Sequence, residues 1–170
     1  MKTLKTIRFK ITKNIEEKII RNFFYMALYV PPGGIPFPKS IIDEPKLYKY
    51  IENYGSKPGD LAVIAIKDTT IIGMIWGRIN GADNKGWGFI DDKTPEIGIA
   101  VLPEYRNLGI GTKLLNQLFE AYSQEGYQNI SLSVDKRNPS FNLYQRNGFM
   151  IVRDEDDSYV MKKELKKHPK

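Results

Sequence analysis

The chain has 170 residues, of which 41% are hydrophobic and 27% charged, with a formal net charge of +6 at pH 7. This length suits one domain, 1–170, with a sizeable core, and no apolar run is long enough to span a bilayer. The absence of cysteine excludes a disulfide framework, a zinc–thiolate site and a covalent acyl–cysteine intermediate. The start lacks the apolar stretch of a signal peptide, so we expect a soluble, cytoplasmic protein with no membrane partner.

Residues 4–11 alternate polar and apolar side chains and predict a first strand. Asn14 with Glu17 three residues later is a capping-box arrangement, which predicts a helix that ends before Pro31. The segment 33–38 is too rich in proline and glycine for regular structure. The first part of the chain therefore predicts a strand and a helix, followed by an irregular loop.

A second helix is expected from Asp43 or Glu44 to Tyr54. Residues 61–66 and 71–79 then predict two strands of a hairpin. The loop that follows is rich in glycine and leads to the central strand of the pattern.

The central strand is predicted by apolar residues at Ile97, Ile99 and Val101. Gly98 and Ala100 alternate with them and leave little bulk on the opposite side of the strand. We therefore expect room for a thin ligand along this strand.

A glycine loop, Arg106-x-x-Gly109-x-Gly111, follows this strand and opens an amphipathic helix that ends near Gly126. The first four N–H groups of a helix have no partner within it, so the pattern predicts a phosphate site. Leu114 stands where a dinucleotide-binding fold needs its third glycine, and no P-loop lysine follows, which disfavours NAD binding and nucleotide hydrolysis. Taken alone, the loop could also be a tight turn with Arg106 as a solvated charge.

The next segment contains Asn138-Pro-Ser and then Leu143-Tyr-x-x-x-Gly-Phe149. With the glycine loop, these motifs resemble the GNAT superfamily of N-acetyltransferases and cover about a third of the chain. The resemblance implies a mixed α/β (α+β) fold, with a twisted sheet of about six to seven strands flanked by about four helices. It also implies that strands 4 and 5 splay apart and that the pantetheine arm of acetyl-CoA, the acyl donor, lies between them.

Residues of the strand and the glycine loop are implied to bind acetyl-CoA. Ile99, Ala100 and Val101 would contact the pantetheine, with main-chain hydrogen bonds from Ile99 and Val101. The pyrophosphate would be held by the backbone amides of Arg106, Asn107, Leu108, Gly109, Ile110, Gly111 and Thr112. Asn138 is expected to cap the following helix and, by the resemblance, to touch the cofactor as well.

Two residues are candidates for catalysis. Tyr144 stands at the family's general-acid position, where a phenol can protonate the departing thiolate; alternatively it packs as an ordinary aromatic beside Phe149. Glu96 is the candidate base and is expected to face the thioester. Asp91 or Asp92 could serve instead, or Glu96 could be a solvent-exposed carboxylate at the strand end.

The expected reaction is direct attack of a primary amine, a small molecule or a peptide, on acetyl-CoA in a ternary complex. Tyr29, Phe37 and Trp87 are candidates for contact with this acceptor, although such aromatics can also belong to the core. A non-catalytic acyl-CoA sensor is the alternative function, and a homodimer is possible.

The excess positive charge lies partly at the C-terminus, where residues 162–170 contain five lysines and predict a basic, solvated tail. His168, the only histidine, lies in this tail, so neither a histidine base nor a metal site is expected. No recognition motif accompanies the charge, and nucleic acid is not an expected partner. The acidic run Asp154–Asp157 predicts a hairpin turn, because it lacks the glycine and spacing of a calcium loop.

Overall fold

The computed structural model describes residues 6–167, which form seven strands and four α-helices. The elements are β1 (Ile7–Thr12), α1 (Glu17–Ala27), α2 (Pro45–Tyr48), β2 (Leu61–Lys67), β3 (Thr70–Arg78), β4 (Glu96–Val101), α3 (Ile110–Gln124), β5 (Asn129–Asp135), α4 (Ser140–Arg146), β6 (Met150–Asp154) and β7 (Ser158–Glu164). Within this range, no helix has the length and apolar character needed to cross a membrane.

All strands form one sheet in the order β1-β2-β3-β4-β5-β7-β6, and every neighbouring pair is antiparallel except β4 and β5. These two central strands are parallel and pair only where Glu96 lies opposite Ser131. Beyond this junction they diverge. The predicted fold class, strand number and splayed central strands are confirmed.

Two apolar cores lie on opposite faces of the sheet. Helices α3 and α4 cover one face, where Leu114 and Leu118 are fully buried, and α1 and α2 cover the other. Ile97 joins the first core and Ala100 the second, as the alternation of side chains along a strand requires.

The room expected along β4 is open beside Ile99, Ala100 and Val101, but it is filled beside Gly98. The indole of Trp76, from the neighbouring strand β3, lies over this glycine, and a Cβ added there would stand 2.7 Å from the ring. Glycine is therefore needed at this position to admit a core tryptophan rather than a ligand.

Both predicted helices of the first part of the chain differ from those observed. Helix α1 begins at Glu17 without a side-chain cap, because the Asn14 N–H donates to Thr12 Oγ1 at 3.0 Å and holds Asn14 in a turn. Helix α2 spans four residues and is preceded by a 3₁₀ turn over Lys39–Asp43. Turns replace the expected helix beyond it, and Asn53 there has a left-handed φ of 47°.

The two predicted hairpins are present, and the acidic run closes the one between β6 and β7, where the Glu155 N–H donates to the Ser158 carbonyl at 2.9 Å. The basic tail begins later than expected, because β7 continues to Glu164 and Leu165 is buried. The predicted strand residues 4 and 5, and tail residues 168–170 with His168, lie outside the described residues.

A buried ion pair fixes the end of β3. The Arg78 guanidinium donates to both Asp60 carboxylate oxygens at 2.8 Å and to the main-chain oxygens of Lys49 and Glu52 at 2.9 and 2.8 Å. Asp60 also accepts the Gly55 N–H at 2.8 Å. Arg78 therefore ties the segment after α2 to the strand beside β4.

We expect Arg78→Met to destabilise the protein by about 3–5 kcal/mol, because it leaves the buried Asp60 charge unpaired. The matched control is Arg21→Met, which removes a partly exposed pair with Asp43 and should cost less than about 1 kcal/mol. Urea unfolding of both variants measures the difference. Equal losses would contradict the importance of the buried pair.

Candidate functional site

The divergence of β4 and β5 opens a cleft of about 900 Å³ between β4, the ends of α1 and α3, and helix α4. Its lining includes most of the residues expected to contact the cofactor: Ile99, Ala100, Val101, Arg106, Asn107, Gly109, Ile110, Gly111, Thr112 and Asn138. Leu108 is the exception, since it is exposed and lies outside the lining. One concave surface therefore gathers residues from four separate elements.

The N-terminus of α3 faces this cleft. Gly109 precedes the helix with φ 80°, and the first N–H bonded back to it is that of Lys113, at 3.2 Å. The amides of residues 110–112 therefore have no partner within the helix. A Cβ at Gly109 would meet nothing within 4 Å, whereas one at Gly111 would stand 3.4 Å from Leu143, inside the cleft.

The charge of the cleft suits an anion. Arg106 and Arg146 are the only charged residues in its lining, which contains no carboxylate among the residues described. The Nε of Arg106 donates to the Val101 carbonyl at 2.9 Å, so this oxygen of β4 already has a partner. Together with the helix dipole, two cations and free amides fit the pyrophosphate of acetyl-CoA.

Tyr144 lies on α4 and lines the same cleft, although its residue is only 9% exposed. Its ring meets Phe149 edge-on, with 5.7 Å between centroids, so Tyr144 also packs as an aromatic of the core. Burial raises the pKa of Tyr144 to about 12, which keeps the phenol protonated.

Asn138 caps α4 from within the cleft. Its Oδ1 accepts the Ser140 N–H at 2.9 Å, as expected of a residue before the first turn. Because it also belongs to the cleft lining, capping and contact with a ligand are compatible.

Glu96 lies outside the cleft lining, at the junction of β4 and β5. Its side chain lies against the backbone of the 86–88 loop, since a Cβ on Gly86 or Gly88 would overlap its carboxyl group. Its Oε2 accepts the Tyr50 hydroxyl at 3.0 Å. Burial raises the pKa of Glu96 to about 7, against the opposing effect of hydrogen bonds from the Gly88 backbone and Tyr50.

Glu96 is half-buried, with its carboxyl group against the 86–88 loop, so it is not a freely solvated carboxylate at the strand end. The two aspartates considered as alternative bases form hydrogen bonds within their own loop. Asp91 accepts hydrogen bonds from the Lys93 N–H and the Thr94 hydroxyl, both at 2.8 Å, and Asp92 accepts one from the Ala82 N–H at 2.9 Å. Neither aspartate lines the cleft. In the part of the chain that the structure describes, no three metal-ligating side chains lie together.

The three aromatic candidates for acceptor contact lie in different places. Tyr29 lines the cleft, and its hydroxyl donates to the Arg137 carbonyl at 3.1 Å. Phe37 lies outside the lining, and its carbonyl accepts the hydroxyl of Tyr25. Trp87 is 52% exposed and lies beside Glu96 rather than in the cleft, because its own loop covers that carboxylate.

Two residues of this region were missed by sequence reasoning. Tyr50 lies in a segment expected to be helical, and nothing in the pattern separates it from Tyr48 or Tyr54. Arg146, two residues after Tyr144 on α4, could have been found as a cation on a helix already assigned to the site.

Comparison with known proteins agrees with this geometry. Residues 26–149 match the family model "Acetyltransferase (GNAT) family". The chain is 31% identical to N-alpha-acetyltransferase 50 of Danio rerio, over 72% of this chain and 67% of that protein. It is 32% identical to an N-alpha-acetyltransferase of Sulfurisphaera tokodaii, over 58% and 65% respectively. The chain thus spans about two thirds of the length of these relatives.

A solved structure shares the fold. The PaiA N-acetyltransferase of Thermoplasma acidophilum, in complex with coenzyme A, superposes with a TM-score of 0.68 at 19% identity, over 93% of this chain and 99% of that one. With the family match over most of the chain, the conclusion is that this protein belongs to the GNAT family and is an acetyl-CoA-dependent acetyltransferase.

Proposed function

We propose that the protein transfers the acetyl group of acetyl-CoA to the α-amino group of a peptide or protein N-terminus. The observation that carries the reaction is the cleft in which free amides of α3, two arginines and Tyr144 lie together. The acceptor class is inferred from two relatives, both named as N-alpha-acetyltransferases.

The pyrophosphate would bind at the N-terminus of α3, on the backbone amides of residues 106–112, with Arg146 as an added cation. The glycines at 109 and 111 leave the backbone accessible, since no side chain stands between it and the ligand. The pantetheine would then extend along Ile99, Ala100 and Val101 between the diverging strands, with Asn138 on the opposite wall.

The amine attacks the thioester carbonyl directly, because the chain has no cysteine to carry the acetyl group. Glu96 accepts the proton that the ammonium loses. Its Cα lies four residues before that of Ala100, about 13 Å along the strand, a distance that the side chain and one water do not span, so a short chain of waters carries the proton. A main-chain N–H of residues 99–101 stabilises the oxyanion, and the C–S bond breaks as Tyr144 donates its proton to the thiolate. The second proton of the attacking nitrogen leaves as the amide forms and returns to the Tyr144 phenolate.

The raised pKa of Tyr144 is compatible with this role. The burial that disfavours the phenolate also disfavours a free thiolate beside it, so the pKa values of the two groups rise together. The acid therefore remains matched to the leaving group.

The phosphate site is tested by Gly111→Asn, which should weaken CoA binding at least tenfold because the new side chain enters the cleft. The matched control is Gly126→Asn, at the other end of the same helix, where a Cβ meets nothing within 4 Å. Calorimetric titration with CoA measures both. Unchanged CoA binding by Gly111→Asn would show that the pyrophosphate does not bind at this loop.

The acid is tested by Tyr144→Phe, which keeps the ring and its packing against Phe149. We expect CoA binding to persist and turnover to fall by roughly 10²- to 10⁴-fold, the usual contribution of a positioned acid. Steady-state assays of thiol release, with calorimetry as the binding control, measure the two effects. Full turnover in this variant would exclude Tyr144 from proton transfer.

The acceptor class is tested with peptides of varied first residues, assayed with acetyl-CoA for thiol release and for the mass of the product. We expect acetylation of free N-termini and not of the same peptides with a blocked N-terminus and an internal lysine. Acetylation of a polyamine alone would overturn the peptide assignment. Tight CoA binding with no transfer to any amine would support the non-catalytic sensor instead.

A further inference from the structure

We propose that Tyr50 is a positioning residue that holds the Glu96 carboxylate in its ionised, proton-accepting form and links it to the loop carrying Trp87. The inference deepens the proposed function and rests on the role of Glu96 as the base. Tyr50 is 7% exposed and does not line the acetyl-CoA cleft, so it acts through Glu96.

The hydrogen bonds of the Tyr50 hydroxyl have a fixed direction. Its oxygen accepts the Trp87 main-chain N–H at 2.7 Å, an interaction in which the amide can only donate. The hydroxyl proton is free to point at Glu96 Oε2, 3.0 Å away. A donor aimed at the carboxylate stabilises its charged form more than its neutral form.

The same segment holds the 84–88 loop at two further places. The Tyr50 ring stacks on Trp87, with 5.8 Å between centroids and 26° between planes. The Lys49 ammonium donates to the Lys85 carbonyl at 2.5 Å. The base and the exposed Trp87 are therefore held by adjacent residues, and a phenylalanine at position 50 would keep the stacking but lose the donor.

The charged and titratable groups near Glu96 are few. Lys49 and Tyr50 approach from the segment after α2, while Arg78 is its partner on β3 but directs its guanidinium to Asp60. Strand β5 contributes Ser131 opposite Glu96, and the loop contributes glycine backbone.

Burial raises the pKa of Glu96, and the Tyr50 hydrogen bond lowers it. Burial also raises the pKa of Tyr50 far above its ordinary value, so the proton remains on the phenol and continues to be donated. Removing this hydroxyl should therefore raise the pKa of Glu96.

The test is the pH dependence of kcat with saturating acetyl-CoA and peptide. A base works when deprotonated, so wild-type turnover should rise as the pH rises through about 7, the pKa of Glu96. In Tyr50→Phe this midpoint should move up by about one pH unit, which gives roughly tenfold slower turnover at pH 6 and recovery at pH 9. The acceptor amine titrates equally in all variants, so their comparison isolates the protein group.

Tyr54→Phe is the matched control. Its hydroxyl is also buried, but it donates to the Gly77 carbonyl at 2.8 Å and accepts the Leu61 N–H at 3.0 Å, with no contact to Glu96. It should lose stability without moving the kinetic midpoint. A merely structural role for Tyr50 would give the same result as this control.

Glu96→Gln separates the two proposals. If it keeps the wild-type pH profile, the base is another group and the proposed mechanism fails. If Glu96→Gln abolishes the titration near pH 7, Glu96 is the base. If the midpoint of Tyr50→Phe then equals that of wild type, the proposed role of Tyr50 is wrong.

A second variant keeps the test decisive if Tyr50→Phe does not fold. Site-specific 3-fluorotyrosine at position 50 retains the shape of the side chain and is a stronger donor, so the kinetic midpoint should move to lower pH. An unchanged midpoint would overturn the proposal on its own.

Discussion

The site depends on the junction at which β4 and β5 remain paired. Glu96 lies opposite Ser131, whose N–H donates to the Pro95 carbonyl at 2.9 Å and whose hydroxyl donates to the Gly88 carbonyl at 2.7 Å. Because β4 and β5 pair only at this junction and diverge beyond it, the cleft opens between them. It also attaches the 86–88 loop over the carboxylate, so one constraint both forms the cleft and shields Glu96 from solvent.

In the proposed mechanism, the two sides of the sheet serve different parts of the reaction. The α3 and α4 side supplies the amides, cations and phenol that suit acetyl-CoA and its leaving thiolate, while the α1 and α2 side holds Glu96, Tyr50 and Trp87. Burial acts on both sides and raises the pKa values of Tyr144 and Glu96. Burial thus keeps the phenol protonated and brings the pKa of Glu96 to about 7, as the proposed roles of acid and base require.

The buried Arg78–Asp60 pair supports this arrangement from outside the site. Arg78 stands opposite Glu96 on β3 and binds the main-chain oxygen of Lys49, next to Tyr50. Local backbone hydrogen bonds hold helix α2 and the turns after it together, and Arg78 ties this segment to β3. One buried side chain therefore links the stability of the fold to the placement of Tyr50 beside Glu96.

The sequence by itself determined the strand, the glycine loop, helix α3 and the position of Tyr144, because each depends on neighbours within a few residues: alternation along a strand, a positive φ at Gly109, spacing along a helix. It could not reveal that Trp76 fills the space beside Gly98, that Asn14 belongs to a turn, or that Tyr50 reaches Glu96. Residues 50 and 96 belong to separate segments, and only the packing of α2 and the 86–88 loop against the end of β4 brings them within 3.0 Å. Local chemistry is encoded along the chain, whereas burial and the partners of a charged group are decided by tertiary contacts.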